Sequence, residues 1–396
     1  MHIPGRRNFI KNAVVLAPFL TLFPSQLSAK TGVRLRVAFI GAGPWGRGYM
    51  VHALAHPDME VRAVAEYDEA AVKEVLKLFR QSGAIQPDLY VDGPQSYQQL
   101  LLRKDIDAVV IATPWNRHYE IAAAALCAGK HVACGPVMGT TLAEHWDIVH
   151  LSEQTGRQYV TLDEHSCQRE LMAVSEMVSQ GVFGTLETVY AGARHYLPED
   201  LSAASPYPVY PAAAAAKMLG ASKGNRFVSL SVQHETQEYV ISKPHVRTGE
   251  PLHIFTRGPV HTICLTTAGK QTLWLQQERG NDLPVSMGFR IKGTQGAWMN
   301  LTRSLHITGK SDPSFQWERD RDYLEQYDAP QWQEAGSECA VALQQFIRIL
   351  KAGPEKELPV YAAATNSIIG PLSLLSAQQG GAVIRFPDFS NGKTAS

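Results

Sequence analysis

The run Gly41-Ala42-Gly43-Pro44-Trp45-Gly46 constrains this chain more than any other stretch. It follows the apolar, β-branched segment 34–40 directly and opens a helical pattern, the strand–turn–helix setting in which three glycines hold a dinucleotide. The first glycine permits the tight turn, the second lets backbone approach a diphosphate, and the third lets helix pack on strand. Free N–H groups at the helix start then bind the diphosphate; Pro44 lacks one but is tolerated in a first turn. Gly41, Gly43, Trp45 and Gly46 are therefore candidate cofactor residues.

What surrounds the motif supports a parallel sheet. From residue 34 to about 180, short β-branched runs alternate with helical patterns, as βαβ units do. The strands expected are 34–40, 61–66, 108–112, 131–134 and 158–162. Helices are expected over 69–80, 119–128 and 142–155, with Gly129 as a helix stop. Glu66 ends the second strand about 20 residues beyond the glycines, where an acidic group binds ribose hydroxyls and repels a 2′-phosphate. The cofactor expected is therefore NAD rather than NADP. Thr113, Trp115, Arg117 and His118 follow the strand 108–112 at the carboxyl edge where such sheets bind ligands. Trp115 is expected to pack on the cofactor, and His118 to cap the next helix or touch the nicotinamide ribose.

Beyond residue 180 the pattern changes. Runs at 186–193, 227–232, 262–266, 272–276 and 288–292 read as strands without full-length helices between them, hence a mainly antiparallel open sheet. Two helices, 338–350 and 362–378, close the chain. The segment 197–211, rich in Pro, Ser and Tyr, reads as a loop and a candidate lid. The fold class expected is α/β: a Rossmann dinucleotide-binding domain over 31–160, an α/β substrate domain over 161–335, and C-terminal helices and tail over 336–396.

The first thirty residues read as a leader. Arg6-Arg7-Asn8-Phe9-Ile10-Lys11 is a twin-arginine pattern, residues 13–23 are apolar, and Leu27-Ser28-Ala29 offers a small-residue cleavage site. The apolar run is too short to span a bilayer, so no membrane anchoring is expected once it is removed, and the location expected is the periplasm. With 37 basic and 37 acidic side chains the chain carries no net charge to recruit nucleic acid. Its five cysteines form no C-x-x-C pair, and no metal site is expected from their spacing or from Asp163, Glu164, His165 and His195.

The glycine loop, the Thr113-Pro114-Trp115 turn and the order of elements resemble the Gfo/Idh/MocA oxidoreductase family. More closely, the chain resembles that family's glycosidase branch, glycoside hydrolase family 109, whose named activity is α-N-acetylgalactosaminidase. The matching stretches are Thr113-Pro114-Trp115 through His118, Ser152-Glu153-Gln154-Thr155-Gly156, Met177-Val178 with Gly181-Val182-Phe183-Gly184, and Gly224-Asn225-Arg226-Phe227. Near the end, Phe386-Pro387-Asp388-Phe389-Ser390-Asn391-Gly392-Lys393 matches as well. The resemblance implies a redox-neutral cycle. A hydride leaves C3 of the sugar for bound NAD, a base removes the acidified C2 proton to expel the glycoside oxygen, water adds, and the hydride returns. Such a cycle needs no exchange of cofactor, which suits a protein exported already folded to a compartment poor in free NAD.

The chain departs from the family at the catalytic positions. Where the family has E-K-P and the branch E-x-P, this sequence has Cys134-Gly135-Pro136. The branch's L-E-N becomes Leu162-Asp163-Glu164, and a nearby tyrosine becomes Cys167. Its Y-P-T-H-G becomes Tyr207-Pro208-Val209-Tyr210-Pro211, and a later tyrosine becomes Val285. Tyr207 and Tyr210 are the candidate acid/base groups, supported by Asp163 or Glu164, which read equally as helix N-cap residues. Cys134 and Gly135 fall among the cofactor residues, and Cys167, His195, Tyr207 and Tyr210 among those facing a small carbohydrate substrate. Cys134 and Cys167, both after strand ends, read as buried thiols or as a pair facing one cleft. Three readings follow: an exported NAD-dependent glycosidase, a sugar oxidoreductase with tightly held nicotinamide, or a carbohydrate sensor that keeps NAD as structure. An exposed sheet face in the second domain suggests a homo-oligomer by analogy.

Overall fold

Strands buried on both faces read as continuous apolar runs, and the first half of the chain is built on them. The computed structural model describes residues 34–195, 211–221, 224–235, 239–244, 251–257, 260–279, 288–312, 317–353, 359–390 and 392. The leader expected over residues 1–30, the loop 197–210 with Tyr207 and Tyr210, and Val285 lie outside the described residues.

The first sheet contains β1 (Leu35–Ile40), β2 (Met59–Ala65), β3 (Asp88–Tyr90), β4 (Ala108–Ile111), β5 (His131–Cys134) and β6 (Tyr159–Thr161). They lie in the order β3-β2-β1-β4-β5-β6, all parallel, so the chain reverses direction across the sheet between β1 and β4. The helices are α1 (Pro44–Ala55), α2 (Glu69–Ser82), α3 (Tyr97–Leu101), α4 (His118–Cys127), α5 (Leu142–Thr155) and α6 (Arg169–Ser179). Local chemistry fixes their ends. The Asp68 carboxylate accepts from Ala71 N–H at the start of α2, and Gly83, with φ +70°, ends it. Thr141 and Glu144 form a reciprocal capping box on α5.

Alternate strand residues enter two cores. Val37, Phe39, Ala108 and Val110 face one side with Tyr49 and Met50 of α1; Ala38, Ile40, Val109, Ile111 and Cys134 face the other with Ile121 and Ile148. The second core continues without a break into the second sheet through Phe183, Val189 and Leu275.

The second part comprises β7 (Leu186–His195), α7 (Pro211–Met218), β8 (Phe227–Glu235), β9 (Tyr239–Pro244), β10 (Pro251–Arg257), β11 (Val260–Thr267), β12 (Thr272–Arg279), β13 (Arg290–Gly293), β14 (Gly296–Met299), β15 (Ser304–Ile307) and β16 (Glu318–Arg319). It ends with α8 (Arg321–Gln326), α9 (Pro330–Ala335), α10 (Glu338–Ala352), α11 (Pro359–Ser367), α12 (Ile369–Gln378) and β17 (Ile384–Arg385). Nine strands form one open sheet in the order β16-β15-β14-β13-β7-β12-β11-β8-β17, antiparallel except where β7 runs parallel to β12. β9 and β10 form a separate antiparallel pair.

One expectation needs adjustment. The helix expected over 362–378 is two helices broken at Ile368, because Pro371 has no N–H to give the Ser367 carbonyl. Pro211, at the end of the segment read as a loop, opens α7, where a proline at the first turn costs no hydrogen bond. Residues 336–396 divide between both halves: Val341, Phe346 and Ile347 of α10 pack into the core shared with α1, while β17 pairs with β8 at the edge of the second sheet. The stretch Pro359–Gln378 is long and apolar enough to cross a bilayer, but it packs on β6 and β8 as core.

Candidate functional site

The glycine loop leaves β1 at the point where strand order reverses, the position at which open parallel sheets bind their ligands. Its glycines have separable roles. Gly41 has φ +91°, and a Cβ there would stand 2.6 Å from the Ala112 carbonyl oxygen. A Cβ on Gly46 would meet Gly41 O at 2.8 Å and Ala112 Cβ at 2.9 Å, so helix and strand touch through backbone. Around Gly43 nothing among the described residues, apart from its chain neighbours, lies within 4 Å of such an atom. Two glycines thus close the turn on the sheet, and the middle one leaves backbone open to a ligand.

Glu66 ends β2 with its carboxylate turned to that loop. Oε2 accepts from Ala42 N–H at 2.8 Å, and Oε1 accepts from Tyr67 and Asp68 N–H at 2.8 and 2.9 Å. The Arg47 guanidinium donates to the Ala42 carbonyl at 2.6 Å and fixes the turn from its other side. Beyond β4, the buried Thr113 hydroxyl has no hydrogen-bond partner within the described residues, while the Thr113 carbonyl accepts from His118 Nε2 at 2.8 Å. Open backbone at Gly43, an acidic strand end at Glu66 and a buried hydroxyl awaiting a partner fit a dinucleotide without a 2′-phosphate. Trp115 and Arg117 form one short turn ahead of α4. Arg117 donates to the Pro94 carbonyl at 2.8 Å and covers the Tyr97 ring, which ties this turn to the β3–α3 segment.

The two carboxylates after β6 are both engaged. Glu164 accepts from the Trp45 indole N–H at 3.1 Å and from the Tyr49 hydroxyl at 2.9 Å, joining the loop after β6 to the first turns of α1. Burial, with that carboxylate alongside, pushes the Tyr49 phenol far above its usual range. Asp163 accepts from His165 N–H at 3.1 Å and from the Ser166 hydroxyl at 2.5 Å, capping the short turn His165–Cys167. Burial raises its pKa, against the pull of those Ser166 bonds. Trp45 therefore sits at the cofactor edge chiefly as a partner of Glu164.

Cys134 ends β5, and Gly135 after it meets His118 and Trp45. A Cβ on Gly135 would lie 3.2 Å from His118 Cε1 and 3.9 Å from Trp45 Cη2, so any larger residue would press on the imidazole. His118 is 2 % exposed, with Nδ1 2.6 Å from the Val137 carbonyl oxygen. Burial pulls its pKa down, but the Cys134 sulfur and the two carbonyls outweigh this and bring it to about 9. Cys167, expected to face substrate, is buried in the core opposite to that of Cys134, and its backbone carbonyl accepts from the Trp332 indole. Burial pushes its thiol up to about 12. The two thiols therefore do not share a cleft, and both are free. His195 closes β7, in register with Arg279 of β12.

Two residues of this edge went unforeseen. Tyr49 lies four positions after Trp45, on the same helix face, with ring centroids 4.5 Å apart; that spacing was its only signal. Tyr159, in β6, is wholly buried and its hydroxyl has no hydrogen-bond partner among the described residues, which no local pattern announces.

Comparison with known proteins gives a consistent result. Residues 199–396 match the family described as glycosyl hydrolase 109, C-terminal domain, and residues 35–163 match the oxidoreductase family with an NAD-binding Rossmann fold. A glycosyl hydrolase family 109 protein of Stenotrophomonas maltophilia is 30 % identical, covering 98 % of this chain and 96 % of its own. An α-N-acetylgalactosaminidase of Tannerella forsythia is 27 % identical over 92 % of this chain and 88 % of its own. Among solved structures, myo-inositol 2-dehydrogenase of Lactobacillus plantarum superposes with a TM-score of 0.64 at 14 % identity, covering 89 % of this chain and all of its own.

Proposed function

The chain belongs to glycosyl hydrolase family 109, and from that premise we propose that it is an exported NAD-dependent glycosidase whose net reaction adds water across a glycosidic bond. The carrying observation is the edge formed by Gly41, Gly43, Gly46, Glu66 and Thr113, joined to a C-terminal half that matches the glycosidase family. Bound NAD supplies a reversible two-electron acceptor, so the sugar can be activated at the carbon next to the one that loses its proton.

The residues divide the remaining work. The N–H groups of Trp45 and Gly46 at the start of α1 bind the diphosphate, Glu66 receives the ribose hydroxyls, and the Thr113 hydroxyl gains its missing partner. His118 holds the turns after β4 and β5 together from beneath. Asp163 and Glu164 already serve the loop after β6, so the proton transfers at the sugar fall to Tyr207 and Tyr210, as the sequence resemblance implies. Removing one such positioned group costs about 10²–10⁴ in rate. The leader carrying Arg6 and Arg7 directs the folded chain to the periplasm on this reading; replacing both by lysine should leave the protein in the cytoplasmic fraction. The half-exposed outer face of the second sheet, with Tyr190, Trp274 and Arg290, is where a second copy of the chain would pack, which light scattering would detect.

The test uses protein folded in cells and purified without added nucleotide. It is incubated with aryl glycosides and N-acetylhexosaminides in D₂O, and products are followed by NMR. Aglycone release with deuterium at C2, abolished in Tyr207→Phe, is the expected result. A stable oxidised sugar beside a reduced one would instead mean hydride exchange between sugars. Saturable binding across the panel with neither release nor exchange would overturn the enzyme reading in favour of a carbohydrate sensor.

A further inference from the structure

The loop after β6 is held from two sides. Toward the nucleotide edge, the Glu164 carboxylate accepts from the Trp45 indole and the Tyr49 hydroxyl and so fixes the first turns of α1. From the other side, three positions just beyond Glu164 are bonded to residues between β14 and α10. The Cys167 carbonyl accepts from the Trp332 indole N–H of α9 at 2.7 Å. Arg169, at the start of α6, donates to both oxygens of Asp328, from Nε at 2.9 Å and from Nη2 at 2.5 Å. Glu170 pairs with Arg303, whose Nε also lies 3.3 Å from the buried Asp320 carboxylate.

The three contacts differ in kind. Asp320 accepts from the indole N–H of Trp298, fully buried in β14, so the Glu170 contact reaches the core of the second sheet. Arg169, Glu170 and Arg303, however, are each more than a third exposed, and water screens pairs of that sort. The Trp332 bond is neutral and escapes that screening. It also lies nearest to the carboxylate that holds α1, because Cys167 N–H donates to the Glu164 carbonyl at 3.0 Å. One turn of backbone therefore separates the indole of α9 from Glu164. The Trp332 ring packs against the core that contains Tyr49 and Cys167, which fixes its place apart from the bond it makes.

We propose that Trp332 is a positioning residue of the nucleotide site. Its indole N–H fixes the turn His165–Cys167, the turn fixes Glu164, and Glu164 fixes the start of α1, where backbone N–H groups meet the diphosphate. Affinity for NAD is thereby set in part from a helix that belongs to neither sheet. The assignment rests on the NAD site and not on the glycosidase reading, so no sugar enters its test.

The test uses the full chain stripped of nucleotide. Trp332→Phe keeps an aromatic ring against the core and removes the N–H. With ¹⁵N in the indoles, the Trp45 signal is identified by its loss in Trp45→Phe. It should shift in Trp332→Phe and stay in place in Trp317→Phe, which alters an exposed indole of the same stretch. Titration with NAD should give a dissociation constant roughly 3- to 10-fold higher in Trp332→Phe, the effect of one lost hydrogen bond, and an unchanged one in Trp317→Phe. In a Glu164→Ala background, where the link to α1 is already cut, Trp332→Phe should weaken NAD by less than about twofold. A Trp45 signal or an NAD affinity unmoved by Trp332→Phe would overturn the assignment. So would a full further loss in the Glu164→Ala background, the behaviour of a residue that supports the fold at large. The indole spectrum of Trp332→Phe decides between these outcomes even if Glu164→Ala does not fold.

Discussion

Replacing Gly43 by alanine should separate cofactor binding from folding. Gly43 has φ −59° and ψ −179°, which any residue adopts, and a Cβ there meets no protein atom within 4 Å. Alanine restricts the unfolded chain, a gain of about 0.4–1 kcal/mol, and is a poorer helix cap, a loss of similar size. The stability of nucleotide-free protein should therefore change by no more than about 0.5 kcal/mol. The new methyl group stands where a diphosphate must approach backbone. A clash of about 1–3 kcal/mol there weakens binding roughly 10- to 100-fold. Gly41→Ala is the contrast. It forces alanine to φ +91° and drives Cβ to 2.6 Å from the Ala112 carbonyl oxygen, so backbone must move, at a cost of about 2–4 kcal/mol. Urea denaturation of the stripped proteins gives the first quantity, and NAD released on heating the unstripped proteins gives the second. Gly43→Ala with full nucleotide content, or with a stability loss equal to that of Gly41→Ala, would refute the division of roles among the glycines.

Thr113→Val removes a buried hydroxyl that has no partner among the described residues, so stability should hold or rise by up to about 1 kcal/mol while retained NAD falls. Equilibrium unfolding and nucleotide content measure the two effects. Glu164→Ala strands the Trp45 indole N–H and the Tyr49 hydroxyl; a loss of about 2–4 kcal/mol is expected, with a shift in tryptophan emission, and Glu164→Gln should recover part of it. Burial holds His145 and His131 neutral with pKa values near 4, below the unfolded value near 6.5, so the unfolded chain binds more protons between those limits. Stability is then intact above about pH 6.5 and is lost as pH falls toward 4. His145→Gln should reduce that slope by up to about 1.4 kcal/mol per pH unit, measured by denaturation across the range.

The nucleotide-binding half was legible because its signals are local. The glycine loop lies within six consecutive residues, and strands buried on both faces read as unbroken apolar runs. Helix 142–155 was bounded correctly because Thr141, Glu144 and Gly156 mark its ends in sequence. β3 and α3 were missed because three and five residues are too short to show a period. β14 to β17 were missed for the same reason. At the site, positions were legible and partners were not. Glu164 stood out as an acid after a strand, yet its partners lie 119 and 115 residues away, so nothing local marked it as bonded to α1. His118 is held between two backbone carbonyls, which leave no mark in a sequence. Cys134 ends β5 while Cys167 lies in the turn His165–Cys167 beyond β6, and that turn carries it into the opposite core.

The three side-chain bridges at the sheet edge have a common consequence. Glu66 ties the loop after β2 to the loop after β1, Glu164 ties the loop after β6 to α1, and His118 ties the turn after β4 to that after β5. Five connections that would otherwise move independently are thereby held in one arrangement, and α10 packs against α1 from behind. An enzyme that exchanges its cofactor each turnover needs such loops to open. One that ends each cycle with the cofactor as it began needs only the sugar to come and go, and gains from a rigid edge that keeps reacting groups aligned. Cutting the Glu164 bridge should therefore loosen NAD before it alters sugar affinity.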